Sequence, residues 1–188
     1  ASMGIGVSDM VFVAVSRLSF EKGYADLAQA SAQAAKQGLK GHIVIVGDGP
    51  NRADIEATFA SIQGLSVKFV GHQNDVRPYL RAADIFVFPT WHENLSNAIL
   101  EGLAHGLPTI ATDVGGNTEV IARGGGLLVP ARSPAALAKA MIDMSRDERL
   151  RSQFASQAVE NVAKNYSLIA MVQAWEALYA DIIAERKQ

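Results

Sequence analysis

Cysteine is absent from the 188 residues, which excludes a disulfide framework, a thiolate zinc site and a cysteine nucleophile together. Its absence suits a reducing compartment, and on that ground the chain is assigned to the cytoplasm. An excess of either charge is also missing: 17 Lys and Arg stand against 19 Asp and Glu, a net charge of −2. A nearly neutral balance argues against nucleic acid as partner, because a sequence-blind grip on phosphates needs a basic face. No unbroken apolar run approaches the roughly 18 to 20 residues that cross a bilayer, and the first residues lack the charged-then-apolar layout of a secretory leader. A soluble chain without a transmembrane segment is expected. The four histidines, His42, His72, His92 and His105, show no metal-ligand spacing, so no metal site is expected.

What is present is enough for one core. Apolar residues make up 49% of the chain, and a domain of this length buries roughly two-thirds of the surface its unfolded form exposes. The run Val-Phe-Val-Ala-Val-Ser from Val11 is continuous and rich in branched residues, the pattern of a strand buried on both faces. Six such strands are predicted, over 11–16, 42–46, 66–70, 84–88, 108–112 and 126–129. Helices are predicted between them over 23–37, 51–61, 75–82, 96–105 and 117–122. Gly38, Gly64 and Gly106 stand where left-handed residues close helices. Beyond Ser133-Pro134, a cap followed by a first-turn proline, the chain reads as helix to its end, the last over 167–185. Residues 1–10 read as a remnant or linker ahead of a single domain over 11–188. Strands alternating with helices give an α/β fold, a doubly wound parallel sheet of Rossmann-like type with carboxy-terminal helices.

Open α/β sheets bind ligands beyond the carboxyl ends of their strands, so three loops bear on function. The first holds Arg17 and Lys22, an arginine that forks onto phosphate oxygens and a lysine point charge beside a helix start. Ordinary solvated cations are the competing reading. The second reads Gly47-Asp48-Gly49-Pro50. Arg52 stands where a dinucleotide fingerprint needs its third glycine, which disfavours nicotinamide and flavin. The turn is then either a tight bend or a place where a ligand approaches the backbone. The third runs from Pro89 and sets Glu93 in the loop and Glu101 about a turn and a half into the next helix, roughly 8 Å along its axis. By spacing alone, Glu101 reads as a surface helix acid rather than as a ligand.

Glu93 and Glu101 form an E-x7-E element. With Arg17, Lys22, Gly47-Asp48-Gly49-Pro50, Phe69-Val70-Gly71, Gly106-Leu107-Pro108 and Asp113-Val114-Gly115-Gly116-Asn117-Thr118-Glu119, it makes the chain resemble the carboxy-terminal domain of glycosyltransferase family 4, retaining enzymes of the GT-B fold. The resemblance covers nearly the whole chain. It implies that Arg17 and Lys22 hold the diphosphate of a UDP- or GDP-linked sugar donor, and that Glu93, as catalytic residue, contacts the sugar near its reacting carbon. It implies further that Glu101 binds the ribose, that backbone N–H groups of Asn94, Leu95, Ser96 and Asn97 touch sugar or phosphate, and that the base lies near Val70, His72 and Gln73. No cofactor and no metal are implied, and no Asp-x-Asp element of metal-dependent glycosyltransferases occurs. Asn94 departs from the glycine that usually follows the first acid, although Asn tolerates a left-handed backbone better than most residues.

The resemblance places a saccharide or lipid-linked acceptor on an amino-terminal domain absent from this sequence. It likens the last helix to a segment that crosses onto that domain. On this view the apolar face of the helix, Trp175 and Tyr179 included, is uncovered here and open to a homodimer; the alternative is that the helix docks on its own sheet. Two other readings of the whole remain: a nucleotide-sugar-binding module without catalysis, and a sugar-nucleotide epimerase-like GT-B domain. By itself the chain is expected to be inactive in transfer.

Overall fold

The computed structural model describes residues 4–185. Six parallel strands, β1 (Val11–Val15), β2 (Gly41–Val46), β3 (Leu65–Gly71), β4 (Ile85–Phe88), β5 (Thr109–Thr112) and β6 (Gly126–Val129), form one sheet in the order β3-β2-β1-β4-β5-β6. After β3 the chain returns from the sheet edge to its centre, so β1 and β4 lie side by side while their connections leave in opposite directions. This is the topological switch point at which doubly wound sheets open a crevice.

Helices cover both faces because each central strand is apolar on both. Residues alternate across a strand with period two, and the core divides accordingly. Phe12, Ile43, Ile45, Ile85, Val87 and Ile110 pack with Leu27 of α1 (Tyr24–Lys36), Ile55 of α2 (Arg52–Phe59) and Met141 of α6 (Pro134–Arg146). Val13, Val44, Val46, Phe86, Phe88 and Ala111 pack on the other face. They meet Leu80 of α3 (Arg77–Arg81), Ile99 of α4 (Asn97–Ala104), Val120 of α5 (Gly116–Ala122) and Ala158 of α7 (Glu148–Asn165). A continuous apolar run thus supplies two cores.

Several expected boundaries shift. α3 covers 77–81 rather than 75–82: Val76 is its N-cap, and Asp75 stands ahead of it, its carboxylate accepting from the backbone N–H and the guanidinium of Arg77. These contacts, led by the side-chain bonds, hold the Asp75 carboxyl down at about 2. Ser133 precedes Pro134 as expected but makes no side-chain capping bond. Gly38, Gly64 and Gly106 do take positive φ of 90°, 89° and 72°.

The last helix, α8 (Leu168–Glu185), does not dock on the sheet, and none of its residues is buried. Leu168, Met171, Val172, Trp175, Leu178, Tyr179 and Ile182 fall three or four apart along one exposed stripe. Trp175 and Tyr179 stack with ring centroids 5.7 Å apart. By length and composition alone, the helical stretch Glu148–Glu185 contains a window apolar enough to span a membrane, although Gln173, Glu176 and Asp181 interrupt its apolar run.

α7, by contrast, is fastened to the domain through Asn161, which is buried and donates to the carbonyl oxygens of Val120 and Gly124 at 2.8 and 2.9 Å. Both carbonyls lie at the carboxyl end of α5, where helical partners run out. Asn161→Ala is expected to cost about 1–3 kcal/mol by leaving buried acceptors unsatisfied, which a lower urea midpoint at unchanged m-value would register.

Candidate functional site at the switch point

Backbone contacts set the site. Gly23, at φ 71°, ends the short helical turn Phe20–Lys22 and lies so close to the loop after β4 that a Cβ on it would stand 1.9 Å from the Pro89 carbonyl oxygen. The Glu21 carbonyl accepts from the Trp91 N–H at 2.8 Å and from the Thr90 hydroxyl at 3.1 Å. The Thr112 hydroxyl at the end of β5 donates to the Thr90 carbonyl at 2.5 Å. On the far side, Gly115 and Gly116 press on the same loop: a Cβ on Gly115 would meet the Glu93 carbonyl oxygen at 1.7 Å, and Gly116 N–H donates to the Asn94 carbonyl at 2.7 Å. The loops after β1, β4 and β5 therefore touch main chain to main chain.

That packing brings Lys22 to Glu93. The ammonium donates to the carboxylate at 2.8 Å, with side-chain exposures of 20% and 17%, and it lies 5.6 Å from the centre of the Phe88 ring. Two charges this sheltered pair because the alternative is an uncompensated ion with little water. Cation and acid thus meet directly at the switch point.

Arg17 is exposed and lines a hollow of about 400 Å³ with Val15, Gly47, Asp48, His72 and Gln73, at the carboxyl ends of β1, β2 and β3. Among the described residues Arg17 makes no ion pair within 4 Å, although its charge helps hold the Glu21 carboxyl below the usual range, behind the Ser19 hydroxyl bond that is the main cause. The Asp48 carboxyl is held below the usual carboxylate range, first by the Gly49 N–H at 2.7 Å and also by Arg52. Gly47 and Gly49 serve the chain's own loop: Cβ atoms there would fall 1.9 Å from the Ser16 carbonyl oxygen and 2.3 Å from that of Leu18. Their close approach is to protein backbone, the tight-bend reading of that turn.

Val70, grouped above with His72 and Gln73, turns its side chain to the core and offers its carbonyl to the Gln73 amide at 2.8 Å. Glu101 is exposed on α4 and lines an adjoining hollow with Asn74, Asp75 and Arg77; Val76 borders both hollows. At the start of α4, Ser96 is buried and makes no side-chain cap. Asn94, Leu95 and Asn97 are exposed, and the free amino end of this helix carries the partial positive charge that suits an anion.

Three residues escaped the sequence. Trp91 sends its indole N–H to Asp26 at 2.7 Å, and the Arg132 guanidinium lies 4.6 Å above its ring. Arg132 is the single non-glycine residue with positive φ, 57°, among the described residues, a conformation that costs an L-residue roughly 1–2 kcal/mol. No spacing could have joined positions 26, 91 and 132, which meet because the segments after β1, β4 and β6 leave the same end of the sheet.

A six-stranded parallel sheet in this order, with its polar loops gathered at the switch point, defines a Rossmann-like domain of the GT-B type. The chain belongs to the group 1 glycosyl transferases, whose family description matches residues 9–147. It is 32% identical over 174 residues to the lipopolysaccharide core biosynthesis glycosyltransferase LpsE of Rhizobium meliloti, covering 90% of this chain and 49% of that protein. HepE of Anabaena, solved in complex with UDP, superposes with a TM-score of 0.80 at 24% identity over 93% of this chain and 50% of that one. The crystal structure of the C-terminal domain of LpcC, a glycosyl transferase group 1 family protein from Francisella tularensis, gives a TM-score of 0.71 at 22% identity, covering 84% and 87%. The chain spans about half the length of the curated relatives it matches.

Gly115→Ala tests the loop packing. Its methyl must displace the Glu93 carbonyl, so the melting temperature should fall well beyond that of Gly38→Ala. Gly38 also has positive φ but nothing within 4 Å of a Cβ, which limits its cost to the roughly 1–2 kcal/mol of a left-handed alanine.

Proposed function

We propose that the chain is the donor-binding, carboxy-terminal half of a retaining family 4 glycosyltransferase of hexosyltransferase type, which moves a sugar from a UDP- or GDP-linked donor to an acceptor held by a partner domain. The observation that carries this reading is the Lys22–Glu93 pair at 2.8 Å, at the switch point and beside the Arg17 hollow. A donor lying across it would set its base near His72 and Gln73, its ribose toward Glu101, its diphosphate on Arg17 and Lys22, and its sugar against Glu93 and the start of α4.

The chemistry follows from charge. As the bond between sugar and phosphate breaks, negative charge grows on the departing diphosphate, and charge-assisted hydrogen bonds of about 1.5–3 kcal/mol each can offset it. These two cations supply that compensation without a metal ion. One carboxylate at the sugar does not make the close pair that double displacement uses in glycosidases. Glu93 is accordingly assigned to positioning the sugar, with the acceptor attacking the face that the diphosphate leaves. By itself the chain supports binding without transfer, because acceptor contacts belong to the partner domain. We place the reaction in the cytoplasm, at the inner face of a membrane where the acceptor is lipid-linked. α8 then meets the partner domain through its exposed stripe, a homodimer being the other occupant of that face.

UDP or GDP should raise the melting temperature and NAD should not; the reverse would sink the donor-site reading. Replacing Arg17 and Lys22 together by Ala should remove the shift. Glu93→Gln should tighten UDP about two- to fivefold, since it frees Lys22 from a pair worth about 0.5–1 kcal/mol, while depressing transfer by the two-domain protein. Full transfer by that variant would remove Glu93 from its role.

A further inference from the structure

The residues that hold Trp91 lie outside the donor contacts proposed above, yet the chain sustains a strained backbone to hold it. A turn needing only positive φ is served by Gly or Asn, and a long L-residue in that region is uncommon. Arg132 stands there at φ 57° in the loop that follows β6, and its guanidinium reaches across the end of β5 to lie on the indole of Trp91, 4.6 Å from the ring centre and within cation–π range. The indole is tied at its edge as well, through Nε1–H to Asp26 on α1 at 2.7 Å, and its main-chain N–H is tied to the Glu21 carbonyl at 2.8 Å. Trp91 is thus fixed on its face, its edge and its backbone by three different elements. Two residues further on stands Glu93, one residue after Glu21 stands Lys22, and the pair they form is the centre of the site.

We propose that Arg132 and Asp26 are positioning residues which, by clamping Trp91, hold the Glu93 carboxylate against Lys22; this rests on the reading of that pair as the donor site. A guanidinium above the ring and a carboxylate at its edge balance each other in charge, so the clamp adds no net charge to the site and acts through geometry. Strain of this kind persists only where the surrounding contacts over-determine it, and it gathers at functional sites.

The chain contains two tryptophans, so in a Trp175→Phe background Trp91 alone fluoresces. Arg132→Gly removes the guanidinium and also relieves the backbone, which separates positioning from stability. The melting temperature is expected to hold or rise, whereas acrylamide quenching of Trp91 should at least double. Arg132→Lys, which keeps a cation over the ring, should recover part of the protection. UDP or GDP, whichever the wild-type chain binds, titrated by calorimetry, reads the effect on the pair: the roughly two- to fivefold affinity gain that Glu93→Gln produces should fall toward no gain when Arg132→Gly is already present, because a loosened Glu93 has less hold on Lys22. Unchanged quenching, or fully additive effects on nucleotide affinity, would overturn the proposal. A wild-type chain that binds neither UDP nor GDP would instead overturn the donor-site reading, and quenching would still decide whether Arg132 holds Trp91.

Discussion

Everything at the functional end of this domain depends on main chain packing against main chain where β1, β4 and β5 finish. Gly23 on the Pro89 carbonyl and Gly115 on that of Glu93 leave no room for a methyl group. Gly47 does the same service beneath the Ser16 carbonyl. Polypeptide backbones approach this closely only where one partner lacks a Cβ, and positive φ at these positions makes the requirement twofold. The result is a set of loops with little freedom, on which a lysine and a glutamate from distant parts of the sequence are brought within hydrogen-bond distance.

The pairing of Lys22 with Glu93 gives the site a resting state. Neither ion faces bulk water fully, so each would be poorly solvated alone, and together they hold the loops after β1 and β4 in register. On the proposed donor-site reading, an incoming diphosphate would compete with Glu93 for the ammonium, and the sugar linked to it would offer hydroxyl groups to the displaced carboxylate, so that one contact would couple the binding of phosphate to the capture of the sugar.

The rest of the molecule serves to keep that end in place. Alternate residues of each central strand feed two separate cores, and the helices on each face anchor the loops from behind. α7 is fastened to α5 by Asn161, while α8 extends with its apolar stripe exposed. The stripe has the spacing of one apolar helix face, and none of α8 is buried against the domain to which it is tethered.

The sequence by itself determined the fold class, the strand count and the places of the loops, because continuous branched runs and helix-ending glycines are local signals that need no knowledge of neighbours. Through its resemblance it also marked Arg17, Lys22, Glu93 and Glu101. Only the tertiary structure decided that Lys22 and Glu93 pair, that Glu101 borders a second hollow across Val76, that Val70 turns inward, and that the glycines of the Gly47 turn serve the chain's own backbone. It alone joined Asp26, Trp91 and Arg132. The physical reason is common to all of these: each depends on which strands are neighbours, and strand order is set by crossover packing on the two faces of the sheet, a long-range property that no local spacing encodes.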